Sequence, residues 1–346
     1  MRENNSLYLV FLLLALPVLL CAQEQKWDGP IPQIAPSLEN FSAKFYDFEV
    51  VLEPDKNEAE WWAGAPTVAR DKNGTFWMVC RMRSPEFPRG LRGYELRILK
   101  SKNGIDFTQV HFIHRTQIPI PGFERPALVL DPQTNKFKLY FCGPWQGGPW
   151  AIMKFDDVVD LTKIDPSTAR VVIKAPARRY PRDVSVKEYK DPFIIFTDGK
   201  YHCFVIGYIR QNERIFHFES IDGEKWLPVG DINQPVMDLH NWHNFFIRPA
   251  SVLPLSVGYL FVYEGSSSQW FDPVYNVGTG FGFTFDLHKI TDLTRESPLA
   301  LSSTPGDFHT FRYSHWMWVD GEIWVYAEVA RPNNSHEVRL YRIKMS

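Results

Sequence analysis

Four carboxylic acids lie at the borders of apolar segments that recur along the chain, and this placement makes them candidates for acid–base chemistry. Asp191 comes directly before one apolar run, and Glu124 lies beside the equivalent position of an earlier run. Glu264 and Glu328 each end the second run of their own repeat. A pair of carboxyl groups, one protonated and one ionised, can cleave a glycosidic bond. The candidate catalytic residues are therefore Asp191, Glu124, Glu264 and Glu328, although an aspartate before proline also caps ordinary turns.

Three arginines occupy comparable positions and could bind an anionic group. Arg125 and Arg248 each begin a repeat, and Arg81 follows the second apolar run of the first repeat. A guanidinium binds carboxylate, sulfate or phosphate through two parallel hydrogen bonds. The sequence therefore predicts that the ligand carries a negative charge. Structural ion pairs between these arginines and residues such as Glu124 or Asp191 are the alternative.

Histidine and tryptophan side chains complete the set of candidate binding residues. His243 and His315 can bind sugar hydroxyls or transfer protons. Trp62 and Trp145 lie in segments between repeats, where an indole can stack on a sugar ring or simply pack within a loop. The sequence contains no spacing of His and Cys typical of a metal site. We therefore predict no metal ligand set and no cofactor, and leave open a structural cation in a central channel.

These candidate residues are positioned by a repeat of about sixty residues. Five segments share a polar or small residue, an apolar run, a turn and a second apolar run, and they begin near residues 65, 125, 191, 248 and 313. Asp-Gly or Asn-Gly between such runs predicts hairpins, and the remainder of each repeat can supply two further strands. We therefore predict an all-β fold, a five-bladed β-propeller with four-stranded antiparallel blades around a central funnel. The residue before each innermost strand would face that funnel.

The amino-terminal segment predicts that the protein is exported. An apolar run at residues 7–20 follows a basic residue, and it is short and interrupted by proline. These properties favour a secretion signal of residues 1–22 over a membrane span. Cys21 could carry a lipid anchor, but the residue before it is not the small one that lipoprotein signals have, so periplasmic or extracellular release is favoured. Residues 23–346 would then form a single propeller domain.

Composition and cysteine content argue against several classes of protein. The formal net charge is -2, from 38 basic and 40 acidic residues, so nucleic acid is not a predicted partner. Cys80, Cys142 and Cys203 remain after the signal, each within an apolar run, and this odd number predicts buried free thiols and no disulfide framework. Aromatic residues make up 15% of the chain and can stack on sugar rings, so the predicted partner is a carbohydrate.

The repeats resemble those of the five-bladed propeller glycosidases, the group that contains glycoside hydrolase families 32, 43, 117 and 130, over roughly residues 61–345. Asp191-Pro192 is similar to the Asp-Pro that opens blades in family 43. The mannoside phosphorylases and hydrolases of family 130 look similar at more places. These are Val79-Cys80-Arg81 with the turn at 101–104, and the segments 258–265, 275–278, 295–299 and 324–328.

This resemblance implies a secreted glycoside hydrolase that acts on an oligosaccharide or polysaccharide. Two departures prevent a direct transfer of catalytic residues: Ala65 stands where family 43 places its first-blade aspartate, and Arg125 stands where many relatives have the aspartate of Glu-Asp-Pro. A phosphorylase of the family 130 type, a non-catalytic glycan-binding propeller and a sialidase-like hydrolase are the alternatives. Export favours hydrolysis over phosphorolysis, because a sugar phosphate formed outside the cytoplasm would be stranded.

Overall fold

The structure is a computed structural model that describes residues 39–176 and 185–344. The predicted secretion signal and Cys21 lie outside these residues. Helical structure in the two ranges is confined to one α-helical turn, α1 (Glu39–Ser42), and to short 3-10 turns. The 3-10 turns are Ala43–Tyr46, Arg115–Gln117, Trp145–Gly147, Leu161–Lys163, Pro166–Thr168 and Asn241–His243. None of these helical segments is long and apolar enough to cross a membrane.

The regular structure of both ranges is dominated by β-strands, in agreement with the predicted all-β class. In chain order the strands are β1 (Glu49–Leu52), β2 (Trp62–Arg70), β3 (Phe76–Arg83), β4 (Gly93–Ser101), β5 (Thr108–His114), β6 (Ala127–Leu130), β7 (Phe137–Pro144), β8 (Trp150–Lys154), β9 (Arg170–Ile173), β10 (Tyr189–Thr197), β11 (Lys200–Ile209), β12 (Asn212–Ser220), β13 (Leu227–Pro228), β14 (Phe246–Pro254), β15 (Tyr259–Ser266), β16 (Gly278–Thr284), β17 (Thr291–Asp292), β18 (Phe311–Val319), β19 (Glu322–Ala330) and β20 (His336–Lys344).

The strands form several four-stranded antiparallel sheets, an arrangement consistent with a propeller. Strands β6 to β9, β10 to β13 and β14 to β17 make three separate sheets in chain order. The fourth sheet contains two antiparallel sets, β2 to β5 and β18 to β20, which are joined by one parallel pair between Trp62 and His336. Strand β1 pairs antiparallel with β20, so the first strand of the chain completes the last set.

Two hairpins have the turns that their sequences predict. Asp198 and Gly199 join β10 to β11 with φ of 52° and 77°, and Asp320 and Gly321 join β18 to β19 with φ of 49° and 87°. A two-residue turn with positive φ at both positions matches the right-handed twist of the flanking strands, and Asp-Gly adopts this backbone readily. The turn residues therefore fix the register of both hairpins.

Four strands, each the first of its antiparallel set, share an irregularity near their beginnings. The pairing register shifts between Gly64 and Thr67 in β2, and comparable shifts occur early in β10, β14 and β18. At three of these bulges the extra residue is left-handed, with φ of 49° at Ala65, 53° at Asp191 and 50° at Tyr313. Non-glycine residues rarely adopt this conformation, and it tends to occur where function requires it. These three positions are also repeat starts in the sequence.

Apolar clusters fill the spaces between neighbouring sheets. For example, the rings of Trp77 in β3 and Phe137 in β7 lie 5.5 Å apart, within a cluster that joins the β2–β5 set to the β6–β9 sheet. Cys80, Cys142 and Cys203 are buried in such clusters as free thiols, which confirms the interpretation of these cysteines as core residues.

Candidate functional site

Asp191, in β10, is hydrogen-bonded to residues of two other sheets. Its Oδ2 atom accepts a hydrogen bond from the hydroxyl of Tyr313 at 2.9 Å, and its Oδ1 atom accepts one from the backbone N–H of Arg125 at 3.3 Å. The thiol of Cys142 donates to Oδ1 at 3.3 Å, and the N–H of Asp191 donates to the same sulfur at 3.1 Å. The carboxylate is thus held by residues of β7 and β18 and by the segment that leads into β6.

Glu264 lies near the end of β15 and contacts the same tyrosine from its other side. Its Oε1 atom accepts a hydrogen bond from the backbone N–H of Tyr313, whereas Oε2 is buried without a hydrogen-bond partner in residues 39–176 and 185–344. Burial raises the pKa of Glu264 to about 7, against the opposing influence of Arg125 and Arg248. A carboxyl group that is protonated near neutral pH can act as a general acid.

Glu328, near the end of β19, is the anionic centre of a neighbouring cluster. Its Oε1 atom accepts two hydrogen bonds from Arg312, at 2.7 and 2.9 Å, and contacts Nδ1 of His336 at 2.7 Å. Its Oε2 atom accepts one from Arg81 at 2.9 Å, and Arg81 also pairs with Glu124. Burial acts to raise the pKa of Glu328, but the two guanidinium groups outweigh it and hold this pKa well below its usual range. Glu328 is therefore suited to anchoring cations and unsuited to donating a proton.

The bulge in β2 makes room for this carboxylate. The backbone N–H of Ala65 donates to Oε2 of Glu328 at 3.0 Å, and a Cβ atom on Gly64 would lie 1.9 Å from the same oxygen. Only glycine allows the side chain of Glu328 to approach the strand so closely. The requirement for glycine explains why Gly64 precedes the left-handed Ala65.

The side chain of Arg125 contacts the β14–β17 sheet. Its guanidinium donates to the backbone carbonyl of Pro249 at 2.7 Å and to that of Ala250, and its charged end lies 5.7 Å from the ring centre of Tyr313. Burial lowers the pKa of Arg125, while Glu264 and Asp191 act against this lowering. Arg125 therefore binds backbone carbonyls of β14 through its side chain, and contacts Asp191 of β10 through its backbone N–H and the ring of Tyr313 of β18 through its guanidinium.

Arg248 and Lys190 share one carboxylate. Nε of Arg248 donates to Oε2 of Glu213, and Nζ of Lys190 lies 2.5 Å from Oε1 of the same residue. Burial acts to raise the pKa of Glu213, but the two cations lower it to about 2. The side chain of Lys190 is 21% exposed and that of Glu213 is 13% exposed, so this group is more accessible than Asp191 and Glu264.

Two predicted binding residues lie away from solvent. Trp62 belongs to β2 and not to a loop, it is fully buried, and its ring stacks on that of His336 with the centres 3.9 Å apart. His243 is also fully buried, and its Nε2 atom lies 3.0 Å from Oδ2 of Asp292. The prediction that Trp62 is a loop residue is therefore wrong, because β2 already begins at this residue and is buried on both of its faces. Neither side chain offers a surface to a sugar in this conformation.

The other two predicted binding residues are half-buried. His315 lies in β18 with its ring 6.1 Å from that of Phe193, and burial lowers its pKa to about 3. Trp145 begins the 3-10 turn Trp145–Gly147 and packs on the apolar cluster between the β2–β5 set and the β6–β9 sheet. Both residues retain some exposed surface, so a ligand could reach them without a rearrangement of the strands.

Sequence reasoning missed three ionisable residues of this region, which are Arg312, Glu213 and His336. Arg312 binds Glu328 and precedes Tyr313, so its position beside a repeat start was a usable signal. Glu213 and His336 had no such signal, because they contact the site through long-range pairing. The polar residues before Glu337 predict a solvated loop, but Glu337 lies in β20, is buried and pairs with Arg339.

Solved structures of other proteins share the fold of this chain. No family model matches the chain, and no curated protein matches it. A solved glycoside hydrolase is similar with a TM-score of 0.65 and 15% identity, covering 91% of this chain and 97% of its own. A solved complex of BT0996 with RGII is similar with a TM-score of 0.65 and 13% identity, covering 90% of this chain and 96% of its own.

A third solved structure represents the GH130 family of mannoside phosphorylases, which contains glycoside hydrolases that target β-1,2 mannosidic linkages in Candida mannan. It has a TM-score of 0.59 and 14% identity, covering 85% of this chain and 93% of its own. At identities this low, structural similarity shows a shared fold but does not show a shared substrate. The chain therefore has the fold of the glycoside hydrolase-like propeller proteins, which include a GH130 structure.

Proposed function

We propose that this protein is an exported glycoside hydrolase in which Asp191 and Glu264 are the two catalytic carboxyl groups. One observation carries the proposal: the two carboxyl groups contact opposite ends of one residue, Tyr313, and differ in their surroundings. Glycosidases need one carboxyl group that donates a proton and a second that acts as base or nucleophile. The structural neighbours named above are glycan-processing enzymes, which supports this class of reaction.

We propose five blades for the propeller. The three separate sheets supply three blades, and the two antiparallel sets of the fourth sheet supply one blade each. Five apolar clusters support this count, because each one lies between two consecutive members of the series and the last joins the β18–β20 set back to the β2–β5 set. Pairing of β1 with β20 would close the ring by placing the first strand in the last blade. The five repeat starts fit this division, with residues 23–346 as one domain.

In this proposal Glu264 is the general acid. Its high pKa leaves it protonated over a useful part of the neutral range, and its Oε2 atom, although buried, has no hydrogen-bond partner among the described residues. Asp191 accepts hydrogen bonds at both oxygens and takes the role of base or nucleophile. Glu328 and Glu124 hold Arg81 in place and so contribute to the charge of the site without transferring protons.

Water is the proposed acceptor, and a phosphorylase of the family 130 type is the second candidate because a GH130 structure shares the fold. Binding of inorganic phosphate needs unpaired cations. Arg81 is paired with Glu124 and Glu328, and Arg125 binds backbone carbonyls, so of these three arginines only Arg248, which binds Glu213 through Nε, keeps both terminal nitrogens outside its ion pair. This use of the arginines and the predicted export signal both favour hydrolysis. A carbohydrate is the partner in either case.

Product analysis on a panel of glycosides tests the proposal. We expect free sugar to form at a rate that does not depend on added phosphate. A sugar 1-phosphate that increases with phosphate would establish the phosphorylase instead. Glycan binding without turnover on any member of the panel would indicate the non-catalytic alternative, and release restricted to sialosides would indicate the sialidase-like one.

A further inference from the structure

A cluster of imidazole and carboxylate groups lies outside the proposed active site. His202 belongs to β11, and His217 and Glu219 belong to β12. His202 pairs directly with Glu219 in the sheet, and His217 pairs with Phe204, two residues after His202. Residues directly opposite each other, and residues two apart on one strand, share a face of the sheet. The three side chains are thus on the same face of the β10–β13 sheet.

This face packs against the next sheet, which contributes a fourth group. The rings of Phe204 and Phe261 in β15 lie 5.0 Å apart, and His288, between β16 and β17, reaches back across the contact. Nε2 of His288 lies 2.8 Å from Oε1 of Glu219. Glu219 is therefore contacted by His202 of its own sheet and by His288 from the connection between β16 and β17.

The distances among His202, His217 and Glu219 suit a small metal ion. Nδ1 of His202 lies 3.0 Å from Nε2 of His217 and 3.5 Å from Oε1 of Glu219. One potential ligand atom from each of these three residues lies within 4.8 Å of the other two. Tetrahedral zinc with bonds of about 2.0–2.1 Å holds its nitrogen and oxygen ligands about 3.3 Å apart. The atoms are therefore already near the required spacing.

The two central histidines are in the form that a metal ion requires. His202 and His217 are 2% and 3% exposed, and burial at this level favours the neutral imidazole, the form that binds metals. The ring nitrogens that face each other, Nδ1 of His202 and Nε2 of His217, are the ones available as ligands.

The carboxylate is oriented for the same role. Its Oε2 atom holds Nζ of Lys200 at 2.8 Å, which leaves Oε1 directed at the imidazoles. We propose that His202, His217 and Glu219 form a site for a divalent transition metal ion, zinc in the first place, and that His288, which contacts Glu219 from the next sheet, holds that carboxylate in place. Two imidazole nitrogens and one carboxylate oxygen are a ligand set that zinc accepts, and three protein ligands leave one position for water. This inference does not depend on the proposed hydrolase activity.

Metal content and thermal unfolding of the full chain test the site. After treatment with a chelator and dialysis, we expect the protein to bind one equivalent of Zn²⁺ and to unfold at a higher temperature with Zn²⁺ than without it. Co²⁺ in its place should produce the intense visible absorption of tetrahedral cobalt with nitrogen ligands. Absence of bound metal together with an unchanged unfolding temperature in Zn²⁺ and Co²⁺ would overturn the proposal.

Two variants and a control locate the ion. His217→Ala removes a buried ligand, and Glu219→Ala removes one whose side chain is 23% exposed, so the second variant should fold even if the first does not. We expect Glu219→Ala to weaken Zn²⁺ binding at least tenfold. His111→Ala, on β5 of a different sheet, should bind Zn²⁺ like the unaltered protein. Equal binding by Glu219→Ala and the unaltered protein would show that the ion lies elsewhere and would overturn the assignment.

Discussion

The hydroxyl of Tyr313 donates a hydrogen bond to Oδ2 of Asp191 at 2.9 Å, although the two residues are 122 positions apart in the chain. Both residues have a left-handed backbone and lie at bulges near the beginnings of β10 and β18. The backbone N–H of the same tyrosine donates to Glu264, so Tyr313 binds one carboxyl group at its hydroxyl and the other at its backbone. A sugar that contacts both groups must compete with Tyr313 for them, and the following predictions depend on this arrangement.

The first prediction concerns Asp191. Asp191→Asn keeps the size of the side chain and an oxygen that can accept from Tyr313, but it removes the base or nucleophile. We expect kcat to fall on the order of a hundredfold or more with little change in the unfolding temperature. The matched control is Asp320→Asn, whose carboxylate is 76% exposed in a hairpin turn and should be dispensable. Near-normal turnover by folded Asp191→Asn protein would remove this residue from the mechanism.

The second prediction concerns the pH dependence set by Glu264. Because its pKa is raised to about 7, a general acid at this position loses its proton as the pH rises through neutrality. We expect kcat/KM to decline above about pH 7, and Glu264→Gln to abolish that decline along with most of the activity. Rates measured from pH 5 to 9 would show this. An unchanged alkaline limb in the Gln variant would assign the limb to another group.

The raised pKa of Glu264 also makes the free energy of unfolding depend on pH. The pKa of Glu264 is higher in the folded protein than its ordinary value of 4.5, so the folded state binds the proton more tightly. Stability from this group is complete below about pH 4.5 and is lost as the pH rises to about 7, a difference of about 3 kcal/mol. Denaturant titrations at several pH values should show that the free energy of unfolding of Glu264→Gln lacks this fall between about pH 4.5 and pH 7. Parallel pH profiles for the two proteins would contradict the assignment.

The third prediction concerns Glu328, which we place in an anchoring role. Glu328→Gln leaves Arg81 and Arg312 buried without their common partner, so we expect the free energy of unfolding to fall by about 3–5 kcal/mol at pH 7. The lowered pKa means that this contribution is present above about pH 4.5 and is lost as the pH falls further. Glu322→Gln, on the same strand but 3.9 Å from its lysine partner, should change stability little. A similar stability for both variants would argue against the anchoring role.

Local sequence was sufficient for the features that depend on neighbouring residues. Asp198-Gly199 and Asp320-Gly321 determine their turns through their own backbone preferences, so the hairpins could be predicted. The repeat starts were visible because each strand begins with the same change from polar to apolar residues. Asp191 could be selected on that basis, since it is the carboxylate at such a position.

Features that depend on long-range contacts could not be predicted. Arg81 and Glu328 are 247 positions apart, and no local pattern pairs them. Glu264 has its raised pKa because of burial by other strands, which a sequence does not display. The histidine cluster was missed for the same reason: His202, His217 and His288 lie on different strands and loops, without the short ligand spacing that marks many metal sites.

The last prediction concerns the charge of the substrate. Arg248 binds Glu213 through Nε, so its two terminal nitrogens take no part in that bond. The half-buried side chain of Lys190 binds the same carboxylate. If the sugar carries a carboxylate or sulfate, a guanidinium at this position can bind it through two hydrogen bonds. We expect Arg248→Met to raise KM for an acidic glycan roughly tenfold more than for a neutral one, which corresponds to about 1.4 kcal/mol. Arg342→Met removes a half-exposed arginine that pairs with Glu49 far along the chain, and it should leave both KM values unchanged. Equal losses on the acidic and the neutral glycan after Arg248→Met would mean that this arginine only holds Glu213 in place.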